Sequence, residues 1–196
     1  MEKRPLIAIF AMNLRPDHMR KLSHSEISQR RVAPDELAGA ERQPIYALLD
    51  NIRSLYNVGS MFRTSDGALI RKLYLCGYTP TPPRKEIEKT ALGSTKTVPW
   101  EYQKNALDAL HYLKEQGVRI CVLEQTTGST PSHHIKKSDF PVCLIVGNEI
   151  SGVSPELISA ADAAIEIPMF GAKQSLNAAV AYGIALFDLV RIWKSE

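Results

Sequence analysis

Three short stretches of this 196-residue sequence bring together side chains able to do or support chemistry. The first is Asn57-Val58-Gly59-Ser60 with Phe62-Arg63-Thr64-Ser65-Asp66. Its amide and guanidinium offer hydrogen bonds and a fixed positive charge for holding a hydroxyl or an anion. On the residues alone, Asn57 also reads as a plain helix cap, and Arg63 as half of a surface pair with Asp66. Gly59 marks a point where another backbone can come close. The second stretch is Val146-Gly147-Asn148-Glu149-Ile150-Ser151-Gly152. Two glycines around an acid suit close approach by a ligand, but the G-x-G-x-x-G and P-loop spacings are missing, so nucleotide phosphates are not expected. Glu149 reads as a carboxylate tying loops together ahead of a general base. The third runs from Ile167-Pro168-Met169 to Gln174-Ser175-Leu176-Asn177. Ser175 is placed to cap the last helix, with Asn177 in its first turn. No histidine base and no G-x-S-x-G elbow accompany Ser175, which makes it a poor nucleophile.

Other reactive residues are read as inert. His133-His134 lie in a Ser/Thr/Pro-rich loop without H-E-x-x-H spacing and are expected to face solvent. Cys76, Cys121 and Cys143 are far apart, each in an apolar run. They read as small buried hydrophobes in a reducing compartment, and neither a disulfide framework nor a metal site is expected.

The elements that must position the three stretches follow from periodicity. Ile45–Leu49 reads as a strand, and Val58–Leu69 as a helix with Val58, Met61, Phe62, Ser65 and Leu69 on one face. Lys72–Cys76 is a strand, Gly77–Trp100 a long Pro-rich irregular connection, Ala106–Gln116 a helix and Val118–Leu123 a buried strand. Val142–Val146 follows as a strand, Ser154-Pro155-Glu156 as a helix start, Ala164–Ile167 as a fifth strand and Ser175–Trp193 as a long helix. Strands alternating with helices predict an α/β fold, a mostly parallel sheet flanked by helices on both faces. In such sheets ligands bind beyond the carboxyl ends of the strands, and all three stretches follow predicted strands.

Composition is that of an ordinary globular domain, 44% hydrophobic and 23% charged. The formal net charge of +3 tolerates a polyanionic partner without requiring one. The longest apolar run, Ala178–Phe187, is about half a membrane span, and the apolar Leu6–Met12 lacks a cleavage site, so a soluble cytoplasmic protein is expected. Residues 1–44 read as a basic arm carrying Arg15, Arg20, Lys21, Arg30 and Arg31, with a short helix at Ser23–Arg31, ahead of a domain spanning 45–196. The arm is either a solvated surface segment or a contact to nucleic acid phosphates. The connection Pro80–Trp100, with Arg84, Lys85, Lys89 and Lys96, reads either as a segment that covers the site or binds phosphates, or as a solvated loop.

Taken together and in order, the three stretches resemble the SpoU/TrmH-type RNA methyltransferases of the SPOUT superfamily, from about Ile45 to Trp193. The resemblance implies a C-terminal deep trefoil knot, a homodimer, S-adenosylmethionine as methyl donor and a ribose 2′-hydroxyl in tRNA or rRNA as acceptor. It places the cofactor against Leu123, Glu124, Gln125, Thr126, Gly147, Ile167, Met169 and Leu176. It casts Arg63, Asn57, Ser175, Asn177 and Glu149 as the catalytic set. The resemblance also casts Arg63 as the base; because a guanidinium stays protonated at accessible pH, Arg63 is expected mainly to orient the ribose or phosphate and to stabilise developing alkoxide charge. Two other readings are a catalytically silent RNA-binding dimer and a nucleotide-binding oxidoreductase. The joint presence of the five polar residues opposes the first, and the missing glycine fingerprint opposes the second.

Overall fold

The computed structural model describes residues 19–32 and 36–195. The chain divides into two compact units, 1–39 and 40–196. In the first, α1 (His24–Gln29) is closed by a capping box: Ser23 Oγ accepts from Glu26 N and the Glu26 carboxylate accepts from Ser23 N. Arg20 pairs with Glu26 at 2.6 Å, which takes up one of the cations expected to meet phosphate. Arg15 lies outside the described residues.

The second unit is built on a seven-stranded, all-parallel sheet in the order β3-β2-β1-β6-β4-β7-β5. The strands are β1 (Gln43–Asp50), β2 (Ile70–Cys76), β3 (Trp100–Gln103), β4 (Arg119–Leu123), β5 (Thr130–Pro131), β6 (Val142–Val146) and β7 (Ala163–Glu166). The helices are α2 (Leu55–Ala68), α3 (Lys85–Ala91), α4 (Ala106–Glu115), α5 (Pro155–Ala160) and α6 (Ala178–Lys194). Central β6 is buried along its whole length, which is why it reads as a continuous apolar run. Its side chains alternate: Val142, Leu144 and Val146 join the core beneath α2 and α6, and Cys143 and Ile145 the core beneath α4 and α5. Each fully buried Leu or Ile contributes roughly 1.5–3 kcal/mol relative to an exposed side chain.

The expected α/β architecture is present, with two more strands than the sequence revealed. β5 is two residues long, too short for any period to show. The connection Gly77–Trp100 is not irregular. It folds as α3, a short 3-10 turn at Ser94–Lys96 and the start of β3. Its prolines at 80, 82 and 83 hid a helix that begins only after them.

α3 sits on α2 because Gly59 permits it. A Cβ there would lie 2.1 Å from Thr90 Oγ1 and 2.3 Å from the Ile87 carbonyl, so the close backbone approach expected at Gly59 is realised by α3. On the other flank α2 runs beside α6. The Asn177 amide donates to Asn57, buried Ser65 meets the Tyr182 hydroxyl at 2.7 Å, and Gly67 faces Phe187. Among the described residues no helix is long and apolar enough to cross a membrane.

Candidate active site at the carboxyl edge of the sheet

Strand ends and their loops gather on one edge of a parallel sheet, and a cleft opens there. After β4 it is lined by Leu123, Glu124 and Gln125, and after β6 by Gly147, Asn148, Glu149, Ile150 and Gly152. After β7 come Ile167 and Met169, then Ser175 and Leu176, with Ala178 and Ala181 from the first turns of α6. Seven of the eight positions expected to hold the cofactor border this cleft. Thr126 does not; its Oγ1 accepts from Gly128 N inside a turn.

The wall between β6 and β4 is made by close backbone packing. Asn148 and Gly152 bridge each other, and a Cβ on Gly147 would strike the Gly152 carbonyl carbon at 2.2 Å. Gly152 has a φ of +72°, and a side chain there would collide with the Glu124 carboxylate. Glu124 accepts from Gln125 N and Val153 N, both at 3.0 Å, tying the β4 loop to the β6 loop.

Glu149 is the central strap. Its carboxylate accepts from Arg53 N at 2.9 Å, Ser54 N at 3.1 Å and Asn57 Nδ2 at 2.8 Å. Desolvation pushes its pKa up, but the backbone and Asn57 hydrogen bonds outweigh this and hold it below the ordinary glutamate value. A carboxylate held ionised by three donors is a poor proton acceptor near neutral pH and a good tie between loops.

Both asparagines and the serine take places different from those the sequence suggested. Ser54 caps α2, so Asn57 stands within the first turn and is free to join Glu149 and Asn177. Asn177 caps α6, accepting from Ala179 N at 2.9 Å and Val180 N at 3.3 Å. Ser175 therefore lies outside the helix, on the cleft wall. Two cap-forming residues stood in competition at each helix start, and periodicity does not choose between them. Ser154 precedes α5 as expected, but its hydroxyl and its N–H both serve the buried Asp50 instead of the helix.

Arg63 is not brought to the cleft of its own chain. It stands exposed on α2, and the surface pair with Asp66 does not form because Asp66 accepts from Thr97 instead. Asn57 and Asn177 do not border the cleft either, but meet it through Glu149. Sequence reasoning missed Glu166, Ala178 and Ala181 on the wall, although the spacing of three between the two alanines is a helix-face signal. Lys21, Arg30, Arg31, Arg84 and Lys85 are exposed. His133 and His134 are exposed as expected, and Cys76, Cys121 and Cys143 are buried. Among the described residues no cluster of His, Cys, Asp and Glu could hold a metal ion.

The donor set fits S-adenosylmethionine. Leu123, Val146, Ile167, Met169, Leu176 and Ala181 line the cleft with apolar side chains, a chemistry that suits an adenine ring, and 167–176 forms neither helix nor strand, so its main-chain groups are not committed to secondary structure. Glu124, Glu149 and Glu166 put negative charge on the cleft wall, which suits a ligand carrying ammonium and sulfonium cations.

Comparison with known proteins agrees. The chain is 35% identical over 159 residues to the tRNA (guanosine(18)-2′-O)-methyltransferase of Aquifex aeolicus, covering 80% of this chain and 73% of that protein. It is 29% identical to the 23S rRNA (guanosine-2′-O-)-methyltransferase RlmB of Vibrio vulnificus, covering 80% of this chain but only 63% of that longer protein. The AdoMet-bound rRNA methyltransferase of Sinorhizobium meliloti superposes with a TM-score of 0.73 at 32% identity, over 85% of this chain and 63% of that one. The model of the SpoU rRNA Methylase family matches residues 44–187, and the chain belongs to that family.

Proposed function

We propose that this protein transfers a methyl group from S-adenosylmethionine to a ribose 2′-hydroxyl of tRNA or rRNA. The observation that carries this reading is the cleft at the ends of β4, β6 and β7, with its apolar wall, three carboxylates and the Asn57–Glu149 strap. The relatives named for guanosine 2′-O-methylation support it.

The cofactor, when bound, supplies an already activated methyl group. The chain has to bind it, place the 2′-oxygen in line and exclude water. Leu123, Gly147, Ile167, Met169 and Leu176 hold the adenine end through backbone and apolar contacts. Ser175, on the cleft wall, would hydrogen-bond the ribose, while Asn57, Asn177 and Glu149 fix the walls. Passage of the chain after β7 through the β6 loop as a deep trefoil knot gives this fixity without a disulfide.

Arg63 reaches a cleft only in a dimer. Val180, Ile184 and Phe187 form an apolar stripe on α6, each 42–51% exposed, beside the α2 face that carries Arg63 one turn before Gly67. A second copy covering this stripe brings Arg63 to the partner's cleft, where its charge steadies the developing alkoxide. The reading is tested by ribose-methylation mapping of total tRNA and rRNA from a deletion strain. Loss of one 2′-O-methyl nucleotide supports it, and an unchanged map overturns it.

A further inference from the structure

Two tyrosines near the cleft present exposed rings while their hydroxyls are tied down. Tyr78, just past β2, is 61% exposed, and Tyr102, on edge strand β3, is 46% exposed. The Tyr78 hydroxyl accepts from Asn148 Nδ2 at 2.8 Å, and the Tyr102 hydroxyl donates to the Gly77 carbonyl at 2.9 Å. Asn148 is itself buried. It also donates to the Asn51 carbonyl at 2.8 Å and accepts from Ile150 N and Ser151 N. Asn51 in turn accepts from Tyr78 N at 3.1 Å. A hydrogen-bonded chain therefore runs from the cleft wall at Asn148 through Tyr78 and Gly77 to Tyr102.

Core packing does not explain this arrangement, because most of the Tyr78 ring and nearly half of Tyr102 stay in water. Exposed cations stand in the segments around the cleft edge and the two tyrosines. Lys104 follows Tyr102 by two positions, Arg84 and Lys85 open α3 after Tyr78, and Arg53 adjoins Glu149. All four are exposed and have no ion-pair partner among the described residues. Exposed aromatic faces, tied through Asn148 to the cleft wall and accompanied by unpaired cations in the neighbouring segments, suit one occupant: an unpaired stretch of RNA, whose bases stack on rings and whose phosphates meet Lys and Arg.

We infer that Tyr78 and Tyr102 form a stacking shelf for unpaired bases next to the nucleotide whose ribose enters the cleft. The inference rests on the RNA reading above and adds how the substrate is held. Anchored hydroxyls hold the rings in place before RNA arrives, so little side-chain freedom is lost on stacking. The tyrosines are positioning residues, remote from the reacting atoms.

The test measures binding of a fluorescent single-stranded oligoribonucleotide by anisotropy, together with KM for RNA, kcat and S-adenosylmethionine affinity. The full-length protein is compared with Tyr78→Ala, Tyr102→Ala, Tyr78→Phe and Tyr102→Phe. Each alanine variant is expected to weaken oligonucleotide binding and raise KM for RNA about tenfold, with cofactor affinity held. The phenylalanine variants, which keep the rings, recover most of the loss. Tyr102→Leu on the edge strand serves where an alanine variant does not fold. Wild-type binding by the alanine or leucine variants overturns the shelf, as does an equal loss in the phenylalanine variants, which would trace the effect to the hydroxyl bonds alone. If wild-type protein transfers no methyl group but its oligonucleotide binding still depends on the rings, the methyltransferase reading falls and the shelf stands.

Discussion

The Asn57 amide donates to Glu149 Oε1 at 2.8 Å across 92 positions of sequence, tying the first turn of α2 to the loop after β6. Because the same carboxylate also accepts from Arg53 N and Ser54 N, one side chain sets the spacing of two loops around the cleft. Glu149→Gln replaces an acceptor oxygen with an NH2 group facing N–H donors. It is expected to weaken S-adenosylmethionine binding about tenfold and to lower stability by about 1 kcal/mol. Calorimetric titration and urea unfolding measure the two effects.

The strap also predicts a pH dependence. The folded carboxyl of Glu149 has a pKa below its unfolded value, so the stabilisation is complete above about pH 4.3 and is lost as pH falls through the lowered folded value. Wild-type protein is expected to lose more stability than Glu149→Gln on acidification through this window and to show the same trend as the variant at neutral pH. Parallel unfolding series across the acidic range read the difference.

Gly59→Ala is expected to cost about 1–3 kcal/mol despite better helix propensity, because the added methyl meets the Ile87 carbonyl and Thr90. Denaturant unfolding gives the number, and an unchanged midpoint would mean that α3 does not rest on α2 through this glycine.

The proposed assembly through α6 has its own test. Ile184→Glu puts a charge on the apolar stripe and is expected to give monomers by light scattering, with methyl transfer lost and the fold kept. Mixing Arg63→Ala protein with a chain disabled in its cleft, such as Gly147→Val, is expected to restore roughly one quarter of wild-type activity, since shuffled dimers carry one intact composite site. No recovery would place Arg63 and the cleft in one and the same chain.

Burial pushes the thiols of Cys76 and Cys121 up to about 12 and that of Cys143 well above its ordinary value. A thiol reagent at neutral pH is expected to leave native protein unmodified and to label it only in denaturant.

How far these features were legible in sequence varied with their physical origin. β6 and the buried face of α2 were plain because full burial imposes long apolar runs and a helical period. The cleft loops were legible only as a set of three in order, since two glycines around an acid such as Glu149 suit many strand-to-helix turns taken singly. Helix starts were misread at Asn57 and Ser175, since Ser54 and Asn177 compete for the same caps. α3 was hidden by the prolines before it. The Asn148–Tyr78 bond was out of reach for another reason: it depends on β1 lying between β2 and β6, and strand order is not written in local pattern.

The most direct test of the central claim is nucleoside mass spectrometry of unmodified tRNA and rRNA transcripts incubated with purified protein and isotope-labelled S-adenosylmethionine. A labelled 2′-O-methyl nucleoside formed by wild-type protein, and reduced at least a hundredfold in Arg63→Ala with cofactor affinity intact, is the predicted result. Label on a base instead of a ribose, or no label on any RNA from protein that binds the cofactor, would contradict the account.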